Sequence, residues 1–436
     1  MSPIELGLFL LALLAVTLGS GVWIFAALIL VSIVCQYFVL GFPLERIGIF
    51  LQSIAWRAAN SWELSAIPLF LVMGEIISRT DIADRLFRGL TPWLEPVPGR
   101  LLHVNIAGST IFAAVSGSST ATTSAVGRVT LPVLLERGYS PSLALGSLAG
   151  AGSLGLLIPP SIIMIIYGVL AEVSIAKLFI GGVLPGLLIA ALYSAYIMAR
   201  CLQHPERSPR ANRTFAPREY WGALIEIAPF FILITVVLGG IYAGFVTPSE
   251  AAAIGVAATL VIAGVTGQLS FRLLSNALHA AVKTSCMICF IVVSAAILSS
   301  TLGFLHLPLD VATAIASLDL SPYALILFIG LLYIVLGLFL DGISIAVMTL
   351  PITLPLVLAA GYDPLWFGIF LVINIELGLI TPPVGLNLFV LQGLTREPLG
   401  KVAAAAMPFF CLLIVAVVLI TLFPGLALWL PNLVSG

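Results

Sequence analysis

The sequence predicts an all-α polytopic membrane protein: an inverted repeat of two halves, each with five membrane crossings, one re-entrant helical hairpin and one broken helix. Three observations predict it. Of the 436 residues, 61% are hydrophobic and only 8% charged, against roughly 25% charged in an ordinary soluble domain. Charge-free runs at 6–44, 101–127, 138–171, 178–199, 227–249, 251–271, 284–309, 342–362, 377–395 and 402–436 each approach or exceed the roughly 20 apolar residues that span a bilayer. Finally, residues 131–160 laid over 354–383, a constant offset of 223, give twelve identities in thirty positions without a gap. The matches include Gly138/Gly361, Pro141/Pro364, Gly155/Gly378, Pro159/Pro382 and Pro160/Pro383. Such residues fix turns and helix breaks, so their recurrence signals a repeated backbone rather than a shared leucine content.

The same composition closes off other classes. With 18 Lys and Arg against 19 Asp and Glu, the chain has neither a basic surface for nucleic acid nor an acidic tail. No basic residue precedes the first apolar run, so no cleaved signal peptide is expected. Cys286 and Cys289 form a CxxC inside an apolar stretch and read as two buried thiols, because no second pair or nearby histidine completes a metal set. His103, His204, His279 and His306 are scattered, and no HExxH, GxSxG or phosphate loop is present. The chain is not expected to be an enzyme or to use a transition metal.

Taken in order, residues 1–200 form the first repeat, 201–223 a basic linker and 224–436 the second repeat. The offset carries segments 4–20, 21–39 and 62–78 onto 227–243, 244–262 and 285–301. Segments 43–58 and 266–283 are too polar and too short to cross and read as interfacial amphipathic arms. Residues 101–138 lie between Arg100 and Arg137 and carry Ser116-Gly117-Ser118-Ser119-Thr120-Ala121-Thr122-Thr123-Ser124 at their centre. One helix of that length would run roughly 57 Å, nearly twice the hydrocarbon thickness, so a hairpin with a Ser/Thr/Gly tip at mid-membrane depth fits better. Its counterpart at 324–361 is centred on Asp341-Gly342-Ile343-Ser344, where an ionisable side chain is costly unless it faces a polar cavity.

A broken helix follows each hairpin. In 141–170, Gly150, Gly152 and Gly155 lead into Pro159-Pro160, and in 364–393, Gly378 and Thr381 surround Pro382-Pro383. A helix-interior proline costs on the order of 3 kcal/mol and frees a carbonyl one turn earlier. In lipid that carbonyl needs a partner, and a cation in a protein-lined cavity supplies one. An odd number of crossings per half makes the halves inverted. With residue 1 outside, fourteen of the 18 Lys and Arg, including the linker arginines Arg200 to Arg218, fall on the cytoplasmic side, which predicts both termini outside. Glu376 occupies the place that Ser153 holds in the first broken helix and is weighed as a residue tuning a cation site or pairing with a neighbouring hydroxyl. Glu250, after Thr247-Pro248-Ser249, reads as a helix-capping residue.

Ala114 to Thr122, Leu156-Leu157-Ile158-Pro159-Pro160-Ser161, Thr247-Pro248-Ser249-Glu250-Ala251-Ala252 and Gly378-Leu379-Ile380-Thr381-Pro382-Pro383-Val384-Gly385-Leu386-Asn387, in this order, resemble the large membrane subunit of tripartite ATP-independent periplasmic (TRAP) transporters. The resemblance covers essentially the whole chain. It implies a sodium-driven secondary importer of an organic acid in the inner membrane, of the elevator type, with scaffold and transport domains. The implied partners are a small four-helix membrane subunit, expected as a separate chain, and a periplasmic substrate-binding protein. The implied coupling ion is sodium, with no other cofactor. One implied sodium site comprises Ser116, Ser118, Ser119 and Thr120 with the backbone at Gly150, Gly152 and Pro159. The other comprises Asp341, Gly342, Thr381, Pro382, Gly385 and Asn387. Substrate is expected between the tips, near Ser119, Thr120, Thr122 and Ser344, where half-helix N-termini favour a carboxylate; Arg128 is the candidate for a bidentate clamp. An autonomous sodium/dicarboxylate symporter ranks second, because neither tip carries a Ser-Asn-Thr triplet, and a passive channel is less favoured.

Overall fold

The computed structural model describes residues 3–209, 215–307, 310, 313 and 321–434. These residues are helical with short connections, and no strand occurs among them. Among the described residues six helices are long and apolar enough to cross a membrane, or seven when one bent pair is taken as a span.

The first half contains α1 (Pro3–Gly19), α2 (Ile24–Val39, ending in a π turn), α3 (Leu44–Ala59), α4 (Ala66–Ser78) and α5 (Ile82–Leu94). The hairpin arms α6 (Leu101–Ser116) and α7 (Ser119–Glu136) follow, then the broken helix α8 (Pro141–Gly152) and α9 (Ile162–Leu170), and the long α10 (Ile175–Gln203). The second half runs through α11 (Pro217–Tyr242), α12 (Pro248–Val265) and α13 (Phe271–Phe304). Its hairpin arms are α14 (Pro322–Gly337) and α15 (Gly342–Ala359), its broken helix is α16 (Pro364–Leu379) and α17 (Leu386–Thr395), and α18 (Leu399–Leu422) and α19 (Gly425–Val434) close the chain. The helix ends at Ser116 and Ser119, Gly152 and Ile162, Gly337 and Gly342, and Leu379 and Leu386 lie at or beside Gly, Pro and Ser residues.

Three expectations change. Segment 266–283 is not a separate arm. From Phe271 onward it is the first part of the continuous 34-residue α13, whose Arg272, His279 and Lys283 lower the local hydropathy without interrupting the helix. In the first half the arm α3 is a separate helix, bent by 56° from the one that follows. Cys286 is exposed and Cys289 half-buried, because that face of α13 points away from the packed body, where apolar thiols suit lipid. The linker is shorter than 201–223, since α10 continues to Gln203 and α11 starts at Pro217; Arg210 and Arg213 lie outside the described residues.

Two sets of helices pack differently. One set holds α2, α3 and α4 against α13, and α4 against α12. Helix α5 joins it through α11: Gly89 approaches the Ala223 carbonyl so closely that a Cβ would sit 2.7 Å from it. Arg88 pairs with Glu226 at 3.3 Å, and Trp93 packs edge-on against Tyr220. At the start of α5, the Asp81 N–H donates to Gln268 Oε1 at 2.7 Å, and the Gln268 amide donates back to the Asp81 carboxylate. Partial burial opposes ionisation of Asp81, but the bonds from Gln268 and Arg85 outweigh it and hold the carboxyl below its ordinary range.

The other set gathers both hairpins and both broken helices. Helix α7 packs on α8 and α17, α15 on α9 and α16, and α14 on α16, with α10 and α18 completing the body. Small residues allow this. A Cβ on Gly378 would lie 2.5 Å from Gly337 Cα, and one on Gly155 2.6 Å from Ser119 Cα. Lipid gives helices no hydrophobic reason to associate, so backbone approach of this kind carries much of the packing. Around the outside, Phe38, Phe245 and Phe271 are at least 75% exposed, a surface suited to acyl chains and not to water.

Candidate functional site

The first hairpin turns at Gly117, whose φ of 61° is the left-handed conformation glycine favours. A Cβ there would stand 2.8 Å from the Pro160 carbonyl, so the tip is pressed onto the first break. Ser118 caps α7, accepting from the Ala121 N–H at 3.4 Å, and Ser161 caps α9 the same way from Met164 at 3.3 Å. These are the bonds a helix restart needs where no water is at hand.

Ser119 is the centre of this region and is 2% exposed. Its Oγ lies 2.9 Å from the Gly152 carbonyl oxygen and 2.9 Å from Glu376 Oε2, and it accepts from Asn387 Nδ2 at 2.7 Å. The other oxygen of Glu376 accepts from the Leu156 N–H at 3.1 Å. Hairpin tip, first break and the second broken helix thus meet at one hydroxyl. Ser116 and Thr122 bond to each other across the tip at 2.8 Å, both buried, while Thr120 is half-buried beside Ser118. Gly150 faces elsewhere: its Cα side packs on Phe409 and its carbonyl accepts the Ser153 hydroxyl at 2.6 Å. Pro159 is buried in a cis Pro159-Pro160 pair.

The second tip is built on Asp341, which aligns with Ser118 at the repeat offset and does the same work. Its Oδ2 accepts from the N–H groups of Ile343 at 3.1 Å and Ser344 at 3.3 Å, and its Oδ1 accepts the Ser344 hydroxyl. Gly342 is buried, with Ile375 and Ile163 against it. At the second break Thr381 donates to the Leu377 carbonyl at 2.5 Å, and Gly385, at φ 44°, opens α17 without a side-chain cap. Pro382 and Pro383, again cis, are exposed. Asn387, grouped with Asp341 on sequence, stands on Ser119 instead, because α17 packs along α7.

Arg128 is nine residues along α7 from Ser119, roughly 13 Å at the helical rise, and does not reach the tips. It donates to the Ser124 carbonyl at 3.2 Å and lines a cavity of about 660 Å³ with Glu75, Arg79, Thr80 and Asp84.

Two further polar contacts escape sequence reasoning. Tyr193 stands 3.1 Å from Ser153 behind the first break, and Tyr333 bonds with Thr353 at 2.9 Å and Thr349 at 3.2 Å inside the second hairpin. Nothing in the local pattern of α10 or α14 marks either tyrosine. Among the described residues no three His, Cys, Asp or Glu side chains gather as a metal set. The oxygens that do gather are hydroxyl, carbonyl and carboxylate, the donors a hard monovalent cation prefers.

The chain is similar to known proteins along most of its length. Residues 11–426 match the family model described as tripartite ATP-independent periplasmic transporter, DctM component. The chain is 34% identical over 383 residues to the C4-dicarboxylate TRAP transporter large permease protein DctM of Pseudomonas aeruginosa, covering 86% of this chain and 88% of that one. It is 32% identical over 381 residues to the isethionate TRAP transporter permease protein DctMQ of Oleidesulfovibrio alaskensis, covering 87% of this chain and 60% of that one. The crystal structure of the YdaH transporter of Alcanivorax borkumensis superposes with a TM-score of 0.60 at 15% identity, over 90% of this chain and 89% of that one, a likeness of fold. On the match along nearly its full length, the chain belongs to the DctM component of the tripartite ATP-independent periplasmic transporters, a family of membrane permeases.

Proposed function

We propose that this permease is a sodium-coupled secondary importer of an organic acid, received from a periplasmic substrate-binding protein and moved by an elevator motion beside a small four-helix membrane subunit. One observation carries the reading: both hairpins and both broken helices pack on one another as one body, while α2, α3, α4, α12 and α13 pack chiefly among themselves and meet that body along α4 on α6 and α13 on α15. A body of that kind suits rigid displacement past a fixed scaffold. The names of the relatives, a C4-dicarboxylate permease and an isethionate permease, support a small organic anion as the substrate class.

In this reading Ser116, Ser118, Ser119, Thr120, Gly152 and Pro159 serve one sodium ion, and Asp341, Gly342, Thr381, Pro382 and Gly385 the other. The carboxylate meets the half-helix starts near Ser119, Thr120, Thr122 and Ser344. Arg128, lining the cavity beside Arg79, offers its guanidinium along the path of the acid. The excess of basic residues in the loops assigned to the cytoplasm supports both termini in the periplasm of an inner-membrane protein.

The test is uptake of a C4-dicarboxylate into proteoliposomes holding this chain with its small subunit. Accumulation should need an inward sodium gradient and an added binding protein. Uptake without the binding protein would favour an autonomous symporter, and equilibration without accumulation a channel.

A further inference from the structure

The hydrogen-bond count around Ser119 does not balance. A serine hydroxyl has one hydrogen to give. Two oxygens stand within donating reach of it, Gly152 O and Glu376 Oε2, each at 2.9 Å, so one of these two contacts is left without a hydrogen. A second shortfall lies alongside: Asn387 Oδ1, on the amide whose Nδ2 donates to Ser119, is buried with no partner. Turning that amide over would not help, since it would bring a third oxygen to the same single hydrogen. Asn387 is 0% and Glu376 1% exposed, so bulk solvent does not reach either group. Nor does a basic residue: the polar groups bonded to the Glu376 carboxylate are the Ser119 hydroxyl and the Leu156 N–H, both neutral. A buried carboxylate without a counter-charge and a buried carbonyl without a donor are each costly. Here they converge from both halves of the chain.

From this surplus of oxygens we infer that Glu376 and Asn387 complete a cation site with Ser119 and the Gly152 carbonyl, Glu376 supplying its negative charge. The inference rests on sodium as the coupling ion and changes the composition of the first site: two of its ligands come from the second half, and Asn387 leaves the set around Asp341. A site assembled this way ties ion binding to the packing of α7, α8, α16 and α17, so that the cation stabilises the assembled body itself.

Thermal unfolding of the purified permease with its small subunit, in nanodiscs, tests this directly. Sodium chloride is titrated against choline chloride at constant ionic strength. The wild type should gain stability with sodium. Glu376→Gln keeps the shape of the side chain and removes its charge, and should raise the sodium concentration for half the effect at least tenfold. Asn387→Ala should raise it less, and serves if the glutamine variant does not fold. Equal midpoints for wild type and both variants would overturn the site while leaving sodium coupling in place. A wild type indifferent to sodium would mean that a proton satisfies these oxygens, overturning the site together with the coupling ion on which it rests.

Discussion

The two hairpin tips occupy equivalent places in the repeat and have opposite surroundings. At the first, Gly117 is pressed on the Pro160 carbonyl, both prolines of the break are buried, and Ser119 is bonded to groups 257 and 268 residues away. At the second, Asp341 turns both carboxylate oxygens onto the start of its own helix, and Pro382 and Pro383 are exposed. The backbone device is the same, a capped restart beside a double proline. The repeat therefore fixes the turns, while the side chains at the offset, Ser118 against Asp341 and Ser153 against Glu376, decide which tip is sealed into the body and which stays at its edge.

The largest effects should come from the glycines on which both hairpins rest. Gly155→Ala and Gly378→Ala each put a Cβ about 2.6 Å or less from backbone, which cannot yield as a side chain can. Each should cost about 1–3 kcal/mol, seen as a lower unfolding midpoint and impaired uptake. If Gly155→Ala were as stable as wild type, the first tip would not be sealed as described.

Ser119→Ala comes next, at about 2 kcal/mol, because it leaves the Asn387 amide and a Glu376 oxygen buried without their partner. Ser118→Ala loses only a cap and should cost about 1 kcal/mol. A larger loss for Ser118 than for Ser119 would reverse the ranking of these neighbours.

The smallest change in stability is expected for Asp341→Ser, since serine caps as well as aspartate and stands at the matching position in the first tip. Unfolding should shift by less than about 0.5 kcal/mol, whereas sodium-driven uptake should fall at least tenfold. Undiminished uptake with unchanged sodium dependence would reduce Asp341 to a cap and leave the second tip without a role in coupling.

Much of this architecture was legible because Gly, Pro and Ser act locally. The spans 101–138 and 141–170 and their counterparts each contain the residues that turn, break and cap them, and the capping box at Thr247 and Glu250 is present as read, with the Thr247 N–H donating to Glu250 at 2.8 Å. What escaped depends on distant chain or on facing. Whether Glu376 meets Ser119, or Asn387 joins the first tip, follows from how α16 and α17 pack, which no short pattern records. Cys286 and Cys289 were misread as buried because an apolar neighbourhood in sequence does not distinguish lipid from protein interior.

The central claim is that the hairpin body moves as a unit against the other helices, and paired cross-links in a background freed of Cys35, Cys201, Cys286, Cys289 and Cys411 test it most directly. Gly127 and Leu394 lie within the body, a Cβ at Gly127 standing 3.0 Å from the Leu394 side chain. Phe112 and Phe230 face each other across its border with α11, ring centres 6.1 Å apart. Cysteines at each pair, joined by a short bifunctional reagent in proteoliposomes, should give opposite results: full-rate uptake with the Gly127–Leu394 bridge, and arrest, reversed on cleavage of the linker, with the Phe112–Phe230 bridge. Full-rate transport with the Phe112–Phe230 pair quantitatively joined would contradict a moving body and require a mechanism in which this border stays closed.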